Sequence, residues 1–590
     1  MYLETINCQK DVKKLDMNQL SELADEMRKA LLKKLSKTGG HFGPNFGMVE
    51  ATIALHYVFN SPADKFVFDV SHQSYCHKML TGRNTAFLDE KHYHDVSGYS
   101  NPDESEHDFF TIGHTSTSVS LACGLAKARD LKGDTENIIA IIGDGSLSGG
   151  EALEGLDFAG EMNSNLIIII NDNDMSIAEN HGGIYQNLKL LRETEGTAEC
   201  NLFRAMGLDY IFVKDGNNIS DLISAFEQVK DNTNPVVVHI VTEKGKGYSL
   251  AEKHKEDWHW HMPFDIETGI SPYTDTGEDY SSLTANYLLQ RMKADNTIAA
   301  ITSGTPGILG FDESKRKEAG SQFIDVGIAE EHAIALASGM AANGGKPVYG
   351  VYSTFLQRTF DQLSQDLCIN NNPATIIVYT ASVFGMSDVT HLGIYDIPMI
   401  ANIPNLVYLA PTTKEEYLAM LEWSIDQNEH PVAIRVPGND FISDNKVVTK
   451  DFSILNKYEI TQEGSHVAII ALGSFCQLGQ QAAEAVKASI GIVPTVINPY
   501  YITGLDEELL ESLKDTHEVV ITLEDGILDG GFGQKISSFY GKSDIKVINY
   551  GLKKEFLDRY DVDEVLTANH LTPDQIAEDV AAILKHDVGI

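Results

Sequence analysis

The chain has 590 residues, 43% of them hydrophobic and 22% charged, which is the composition of a globular protein with about three or four domains. Its formal net charge of -40 argues against nucleic acid and anionic membranes as partners, because both bind clustered Lys and Arg. The six cysteines are scattered without a CxxC pair, and no apolar run is long enough to cross a membrane, so we expect a cytoplasmic protein.

The first predicted block covers residues 1–275 and alternates helices with strands. Apolar residues recur at helical spacing from Leu20 to Leu35. Four continuous apolar runs predict strands, at 66–70, 137–145, 165–174 and 235–245. Strands that are apolar on both faces are typical of parallel sheets covered by helices on each side, so this block predicts a doubly wound α/β sheet.

Two further α/β blocks follow the polar stretch 271–282, which has the composition of a linker. The second block covers residues 283–445, and the third covers residues 455–590. Their apolar runs predict strands at 296–304, 346–353 and 374–382, then at 466–474, 517–525 and 545–551. The sequence therefore predicts three domains, each built on a doubly wound parallel sheet.

Polar side chains follow two neighbouring strands of the first block. Asp144 stands between Gly143 and Gly145 after one strand, and Asn173 lies one strand–helix–strand unit later, at the end of the next. Because open α/β sheets bind ligands at the carboxyl ends of their strands, we expect these two side chains to meet. Carboxylate and amide oxygens suit Mg²⁺ or Ca²⁺, and Mg²⁺ often takes further ligands from phosphates. Alone, Gly-Asp-Gly would indicate an ordinary turn; with Asn173 it predicts a metal–diphosphate site.

This pair of motifs resembles the signature of thiamine diphosphate enzymes. Other segments, in order along the chain, resemble the 1-deoxy-D-xylulose-5-phosphate synthase family of the transketolase-like group: 41–50, 69–83, 113–126, 244–253, 325–341 and 351–362. The resemblance implies two cofactor-binding domains, for the diphosphate and for the pyrimidine, followed by a transketolase C-terminal domain. It also implies a homodimer that binds thiamine diphosphate and Mg²⁺.

The resemblance further implies how the cofactor is held. Asp144, Asn173 and the backbone carbonyl of Met175 would coordinate Mg²⁺. Glu330 would pair with the aminopyrimidine ring, because a carboxyl group shielded from water stabilises the tautomer that deprotonates the thiazolium carbon. The remaining residues implied to contact the cofactor, besides Asn173, are His72, Gly113, His114, Thr115, Gly145, Ser146 and Tyr248.

Other residues in the matching segments are expected to act on substrates. His41, His259 and His391 would act with Glu330 in catalysis, because neutral imidazoles move protons and bind ketone and carboxylate oxygens. Tyr352, Arg358 and Arg435 would contact the substrate. A zinc site at His254, His259 and His261 is disfavoured, because these histidines lack further ligands at zinc spacing.

The reaction that the resemblance implies decarboxylates pyruvate and joins the remaining fragment to D-glyceraldehyde 3-phosphate. Its product, 1-deoxy-D-xylulose 5-phosphate, is a precursor of isoprenoids, thiamine and pyridoxal. The small-molecule partners would thus be pyruvate and an aldehyde. An inactive paralogue that keeps the fold is disfavoured, because Glu330 and the Asp144/Asn173 pair are retained.

The chain departs from the family pattern where the phosphate of the acceptor would be bound. Thr380 stands where the pattern has Arg, and Gly438 directly follows Pro437, where the pattern has a second Arg. Thr cannot replace the planar fork with which Arg binds phosphate. The family's D-G-x-T-H motif is also altered, and residues 387–391 read Ser-Asp-Val-Thr-His. In addition, the segment between His181 and Leu202 is shorter than in the family, which would alter a lid over the active site.

Two interpretations of this departure stay open. In one, Arg358 and Arg435 hold the phosphate and the reaction is the same. In the other, the chain is a divergent carboligase with a different aldehyde acceptor, or a transketolase with a ketol donor.

Overall fold

The computed structural model describes residues 1–273, 277–439 and 441–587, with side chains as far as residue 584. It divides into two compact units. The first comprises Met1–Gly277 with Val326–Ala329, and the second comprises Glu278–Asp325 with Glu330–Ile590. The domain limits expected at residues 275 and 590 lie outside the described residues.

A five-stranded parallel sheet forms the centre of the first unit. Its strands are β2 (Lys65–Phe68), β3 (Ile138–Gly143), β4 (Ile167–Asp172), β5 (Asp209–Val213) and β6 (Val236–Val241), in the spatial order β2-β3-β4-β6-β5. A separate antiparallel ladder pairs β1 (Gly40–His41) with β7 (Trp260–His261).

Both faces of this sheet are buried. Ile139 and Ile141 of β3 pack into one hydrophobic cluster, whereas Ile138 and Ile142 pack into another on the opposite face. Side chains alternate between the faces of a strand, so a run that is apolar at every position requires a cover on each side. The continuous apolar runs of the sequence are explained by this two-sided burial.

The helices of the first unit supply these covers and the connections. The predicted helical span from Leu20 to Leu35 lies within the second of them, which begins with a capping box at Asp16. In chain order they are α1 (Gln9–Val12), α2 (Met17–Thr38), α3 (Gly43–Gly47), α4 (Val49–Val58), α5 (Tyr75–Lys78), α6 (Thr85–Leu88), α7 (Ser118–Lys132), α8 (Gly150–Glu161), α9 (Gly183–Glu193), α10 (Leu202–Ala205), α11 (Ile219–Val229) and α12 (Ser249–Lys253).

The second unit contains two sheets. The strands of the first are β8 (Ile298–Thr302), β9 (Phe323–Asp325), β10 (Lys346–Tyr352), β11 (Thr375–Ala381), β12 (Val407–Leu409) and β13 (Val432–Pro437), all parallel and in the order β12-β13-β11-β10-β8-β9. The strands of the second are β14 (Glu459–Gln462), β15 (His466–Ala471), β16 (Thr495–Asn498), β17 (His517–Ile527) and β18 (Lys546–Leu552), in the order β14-β16-β15-β17-β18. In this sheet β14 is antiparallel to β16, and the other pairs are parallel.

Helices connect the strands of both sheets. They are α13 (Tyr280–Met292), α14 (Glu313–Ala319), α15 (Glu330–Ala342), α16 (Ser353–Leu356), α17 (Asp396–Ile400), α18 (Lys414–Asp426), α19 (Cys476–Ile490), α20 (Glu507–Leu513), α21 (Phe532–Tyr540), α22 (Val562–Ala568) and α23 (Pro573–Asp587). In the part of the chain that the structure describes, no helix combines the length and hydropathy needed to cross a bilayer. The three α/β sheets confirm the predicted fold class.

Arg129 of α7 fixes the starts of β3 and β4. Its Nη1 donates to the carbonyls of Glu136 and Asn165, which lie just before these strands, at 2.8 Å each. Its Nη2 donates to Ser164 Oγ at 2.5 Å. This guanidinium is buried, and these carbonyl and hydroxyl groups satisfy its N–H donors in place of water.

We expect the substitution Arg129→Met to lower the free energy of unfolding of the first unit by about 3 kcal/mol, because it removes the hydrogen bonds to the carbonyls of Glu136 and Asn165 and to the hydroxyl of Ser164. Calorimetric unfolding measures this loss. Lys132→Met is the control, because Lys132 lies on the same helix but its ion pair with Asp134 is exposed. Equal shifts of the unfolding midpoint for the two variants would contradict the proposed anchoring.

Candidate functional site

Asp144 begins the turn at the carboxyl end of β3 and is only 1% exposed. Its Oδ2 accepts a hydrogen bond of 2.7 Å from Asn180 Nδ2. The hydroxyl of Tyr185, on α9, donates to the carbonyls of Asp144 and Gly145 at 3.2 and 3.1 Å. Burial and the nearby charge of Asp172 both raise the pKa of Asp144. A carboxylate in this position is stabilised by a cation.

The four polar residues at 171–174 have different partners. Asn171 Oδ1 accepts a hydrogen bond from Thr242. Arg192, also on α9, binds both oxygens of Asp172 at 2.8 and 2.7 Å, and contacts Asp174 at 2.6 Å. The segment between His181 and Leu202, expected as an altered lid, thus contributes contacts that hold this strand end.

Asn173 is different, because its Oδ1 is buried and has no hydrogen-bond partner. Its backbone N–H donates to the carboxylate of Asp144, which places the two residues in contact. An unsatisfied buried oxygen costs free energy unless a ligand meets it. One carboxylate and one free amide oxygen are ligands that Mg²⁺ prefers, so these residues fit a magnesium ion. Met175 lies two residues after Asn173 and forms a β-bridge with Glu179.

The glycines of this site allow close approach of neighbouring loops. A Cβ on Gly145 would lie 2.9 Å from Ser176 Cα, and one on Gly149 would lie 2.1 Å from Ser116 Oγ. The hydroxyl of Ser116 donates to the carbonyl of Ser146 at 2.8 Å. The turn that contains Gly113, His114 and Thr115 is therefore held against the turn that contains Gly145 and Ser146.

Two residues near this site of the first unit were not predicted from the sequence. The buried carboxylate of Asp69 accepts hydrogen bonds from the N–H groups of Ser116 and Ser118, at 2.8 and 3.0 Å. Lys244 Nζ is buried and donates to the carbonyl of Ser176 at 2.6 Å. Burial lowers the pKa of Lys244 to about 8. Asp69 and Lys244 are the first residues of two segments that resemble the family, 69–83 and 244–253. Their positions in these segments were the available sequence signal for a role at the site.

Three of the predicted histidines lie together in the first unit. The ring centroids of His41 and His72 are 4.8 Å apart. The ring centroid of His259 lies 5.7 Å from that of His41 and 5.3 Å from that of His72. Asn45 fixes the first two, because its Nδ2 donates to the carbonyls of His41 and His72 at 2.8 and 2.7 Å. Burial lowers the pKa of His259 well below 6.5, so its ring is neutral at pH 7.

Tyr248, whose position beside the cofactor stays a prediction, makes its described contacts with other residues of the first unit. Its hydroxyl donates to the carbonyl of Ile266 at 3.0 Å. Its ring packs against Phe42 and Trp258, with centroids 5.3 and 4.9 Å away. These contacts make it part of an aromatic cluster in the core of the unit.

In the second unit, Glu330 is the first residue of α15 and is only 2% exposed. Burial raises its pKa, and Arg358 partly opposes this effect with Nη1 at 3.5 Å from Glu330 Oε2. Tyr352 and His391 each pack against Phe355, with ring centroids 5.5 and 5.6 Å from it. Within this unit the structure thus brings Glu330 near Arg358, and it packs Tyr352 and His391 against the same phenylalanine.

Arg435 does not have the substrate-facing contacts that were expected. It is 3% exposed, its Nε donates to Asp396 Oδ2 at 2.7 Å, and its Nη1 binds Asp525. Its guanidinium is thus bound by two buried carboxylates. Burying these carboxylates without a cation would cost free energy, and Arg435 supplies the positive charge that offsets this cost.

The backbone at the two missing arginines is also distinctive. Thr380 has a left-handed φ of 55°, next to a bulge in β11. At Gly438, a Cβ would lie 2.6 Å from the carbonyl oxygen of Phe384. A side chain after Pro437 would therefore collide with the neighbouring loop, and the arginine of the family pattern does not fit this backbone.

Comparisons with known proteins agree along the whole chain. The family model described as "1-deoxy-D-xylulose-5-phosphate synthase" matches residues 3–201 and 193–242. The transketolase pyrimidine binding domain matches 279–441, and the transketolase C-terminal domain matches 456–576. A protein of Caldanaerobacter subterraneus named 1-deoxy-D-xylulose-5-phosphate synthase is 38% identical over 100% of both chains. One of the same name from Alkaliphilus oremlandii is 38% identical over 98% of both.

We expect Arg435→Met to lower the free energy of unfolding of the second unit by about 3 to 5 kcal/mol, because it leaves two buried carboxylates without a cation. Thermal unfolding followed by calorimetry measures the loss. The control is Arg291→Met, which removes a more exposed ion pair with Asp426 in the same unit. A stable Arg435→Met protein with impaired acceptor binding would instead support the substrate role predicted from the sequence.

Proposed function

Since the chain belongs to the 1-deoxy-D-xylulose-5-phosphate synthase family of thiamine diphosphate-dependent transferases, we propose that it condenses pyruvate and D-glyceraldehyde 3-phosphate to 1-deoxy-D-xylulose 5-phosphate, with loss of CO₂. The observation that carries this proposal is the buried carboxylate of Asp144 in contact with Asn173, whose side-chain oxygen is unsatisfied. This arrangement suits the Mg²⁺ and diphosphate that the proposed reaction needs.

The three predicted domains would divide the binding of the cofactor. Residues 1–275 would bind the diphosphate, 283–445 the pyrimidine, and 455–590 would form the C-terminal domain. Asp144, Asn173 and the Met175 carbonyl would coordinate Mg²⁺. We add the buried Lys244 to the diphosphate contacts, because a cation there would balance phosphate charge. The other proposed contacts are His72, Gly113, His114, Thr115, Gly145 and Ser146.

Thiamine diphosphate, when bound, supplies a carbon nucleophile for the pyruvate carbonyl and an electron sink for decarboxylation. Glu330 would hold a proton between its carboxyl group and the aminopyrimidine ring. Its burial supports this role, because burial raises the pKa of Glu330 and so favours a carboxyl group that holds or shares a proton.

The histidines would act on the substrate oxygens. His259 stays neutral at pH 7, so its ring can donate or accept a proton without adding a fixed charge. His41 lies against it and would bind the pyruvate carboxylate or carbonyl oxygen. On the second unit, His391 and Tyr352 would contact the acceptor aldehyde, and Arg358 would contribute positive charge.

A second candidate is a carboligase of the same family with an acceptor that carries no phosphate or binds it differently. It is favoured by one observation: the guanidinium of Arg435 is taken up by Asp396 and Asp525. Arg435 is therefore not available to a phosphate. Because Thr380 and Gly438 also stand where the family pattern has arginines, three expected contacts between arginine and the acceptor phosphate are missing. The acceptor comparison below separates the two candidates.

We also propose a homodimer. The exposed face of α15 lines a groove of about 740 Å³, with His332, Leu336, Gly339 and Met340 among its residues. Small residues on a helix let a second copy of the helix approach closely, and a homodimer would cover this face without leaving its apolar groups in water.

A cytoplasmic location is supported by six free cysteines, which are typical of a reducing compartment.

The function is tested by incubating the protein with thiamine diphosphate, Mg²⁺ and pyruvate, and measuring CO₂ release with no acceptor, with D-glyceraldehyde 3-phosphate and with D-glyceraldehyde. We expect the phosphorylated acceptor to stimulate release most, and preference for the unphosphorylated one would favour the second candidate.

Glu330→Gln should lower turnover at least about 100-fold, since an amide cannot share the proton. Glu331→Gln is the matched control, and full activity of Glu330→Gln would refute the assigned role.

The metal assignment is tested by Asn173→Leu, which keeps the size of the side chain and removes its oxygen. We expect its affinity for Mg²⁺, measured by titration calorimetry with thiamine diphosphate present, to fall at least about tenfold. Asn165→Leu is the control, because Asn165 Oδ1 is also buried and unpaired but lies before β4, at the opposite end of the strand. Unchanged affinity in Asn173→Leu would exclude this residue as a ligand.

A further inference from the structure

The loop at 382–391, named here the His391 loop, follows β11 and ends at a predicted catalytic residue. Its last residues form a tight turn around Asp388, whose Oδ1 accepts hydrogen bonds from the N–H and the hydroxyl of Thr390, at 2.9 and 2.6 Å. Thr390 Oγ1 in turn contacts His391 Nδ1 at 2.8 Å. The orientation of the imidazole therefore depends on where the loop holds this turn.

Three consecutive residues from the third sheet region bind the His391 loop. The segment Asp558–Tyr560, named here the strap, lies between β18 and α22. The Tyr560 hydroxyl donates to the carbonyl of Val383 at 2.8 Å, and the N–H of Arg559 donates to the carbonyl of Ser387 at 2.7 Å.

The third bond reaches the residue next to the Thr390–His391 pair. Asp558 Oδ1 accepts a hydrogen bond of 3.3 Å from the N–H of Val389. The strap thus contacts the start, the middle and the end of the loop, and the last contact lies two residues before His391. Arg559 adopts a left-handed φ of 47°, which is uncommon for a residue other than glycine and persists where surrounding contacts enforce it.

We propose that the strap is a positioning element that holds the His391 loop and thereby sets the affinity for the acceptor aldehyde. This inference rests on the proposed function. The strap contacts the backbone of the loop and acts through His391, so its residues are positioning residues. The groups proposed for pyruvate, such as His41, belong to other elements, so the effect should be confined to the acceptor.

Tyr560→Phe tests this inference, because it removes the hydroxyl bound to Val383 and keeps the ring. We expect the KM for D-glyceraldehyde 3-phosphate to rise about five- to tenfold, the worth of one hydrogen bond, while the KM for pyruvate changes less than about twofold. Amide hydrogen exchange in a peptide covering 383–391 should become faster, which a loss of overall stability would not confine to that peptide.

Tyr550→Phe is the matched control. Tyr550 lies in β18 of the same region, and its hydroxyl donates to Asp579 Oδ2 at 3.0 Å, away from the loop. This variant should keep the wild-type acceptor KM and exchange pattern. Equal acceptor KM in Tyr560→Phe and wild type, or equal rises in both KM values, would overturn the inference.

The result also separates this inference from the proposed function. If the wild-type protein releases no CO₂ from pyruvate with any acceptor, the proposed function fails. Hydrogen exchange then decides the strap by itself: faster exchange at 383–391 in Tyr560→Phe alone supports its hold on the loop, and unchanged exchange overturns it.

Discussion

The first unit depends on how it accommodates two buried carboxylates at the ends of β3 and β4. Asp144 and Asp172 lie close enough for the charge of one to raise the pKa of the other. Arg192 binds both oxygens of Asp172 at 2.8 and 2.7 Å, and His239 Nε2 contacts Asp172 Oδ2 at 2.8 Å. Asp144 accepts a hydrogen bond from Asn180, and the nearby charge of Lys244 favours its ionised form, but its described contacts include no ion pair. This difference between the two carboxylates is the reason why the proposed Mg²⁺ is assigned to Asp144 rather than to Asp172.

The loops around this carboxylate pair are packed against one another more closely than ordinary side chains allow. Gly145 and Gly149 permit backbone approaches that any larger residue would block. Asp69 fixes one loop through two N–H groups, and Lys244 fixes another through the carbonyl of Ser176. Buried charges thus organise backbone groups that would otherwise need water, and the same charges suit a site for an anionic cofactor.

In the second unit, an arginine predicted to contact substrate is bound by two buried carboxylates. Arg435 lies at a position expected to face the acceptor, but Asp396 and Asp525 bind it in the core. Its neighbourhood is connected to the third sheet through Asp525 of β17. The strap connects that region to the His391 loop as well. The C-terminal region, to which the sequence assigned no chemistry, therefore contacts the part of the chain in which acceptor binding is expected to be decided.

The sequence by itself determined the three α/β sheets and their parallel strands, because strands buried on both faces must be apolar at every position; the antiparallel edge strand β14 was not predicted. It also indicated Asp144, Asn173 and Glu330, since polar groups at the ends of apolar strands or in matching segments are local patterns. The roles of these residues and the domain limits stay predictions. Only the tertiary structure decided which of the four polar residues at 171–174 keeps a free oxygen, and that Arg435 and Tyr248 pack in the core. The reason is physical: these outcomes depend on partners such as Arg192, Asp396 and Ile266, which no local spacing identifies and which only the folded chain brings into contact.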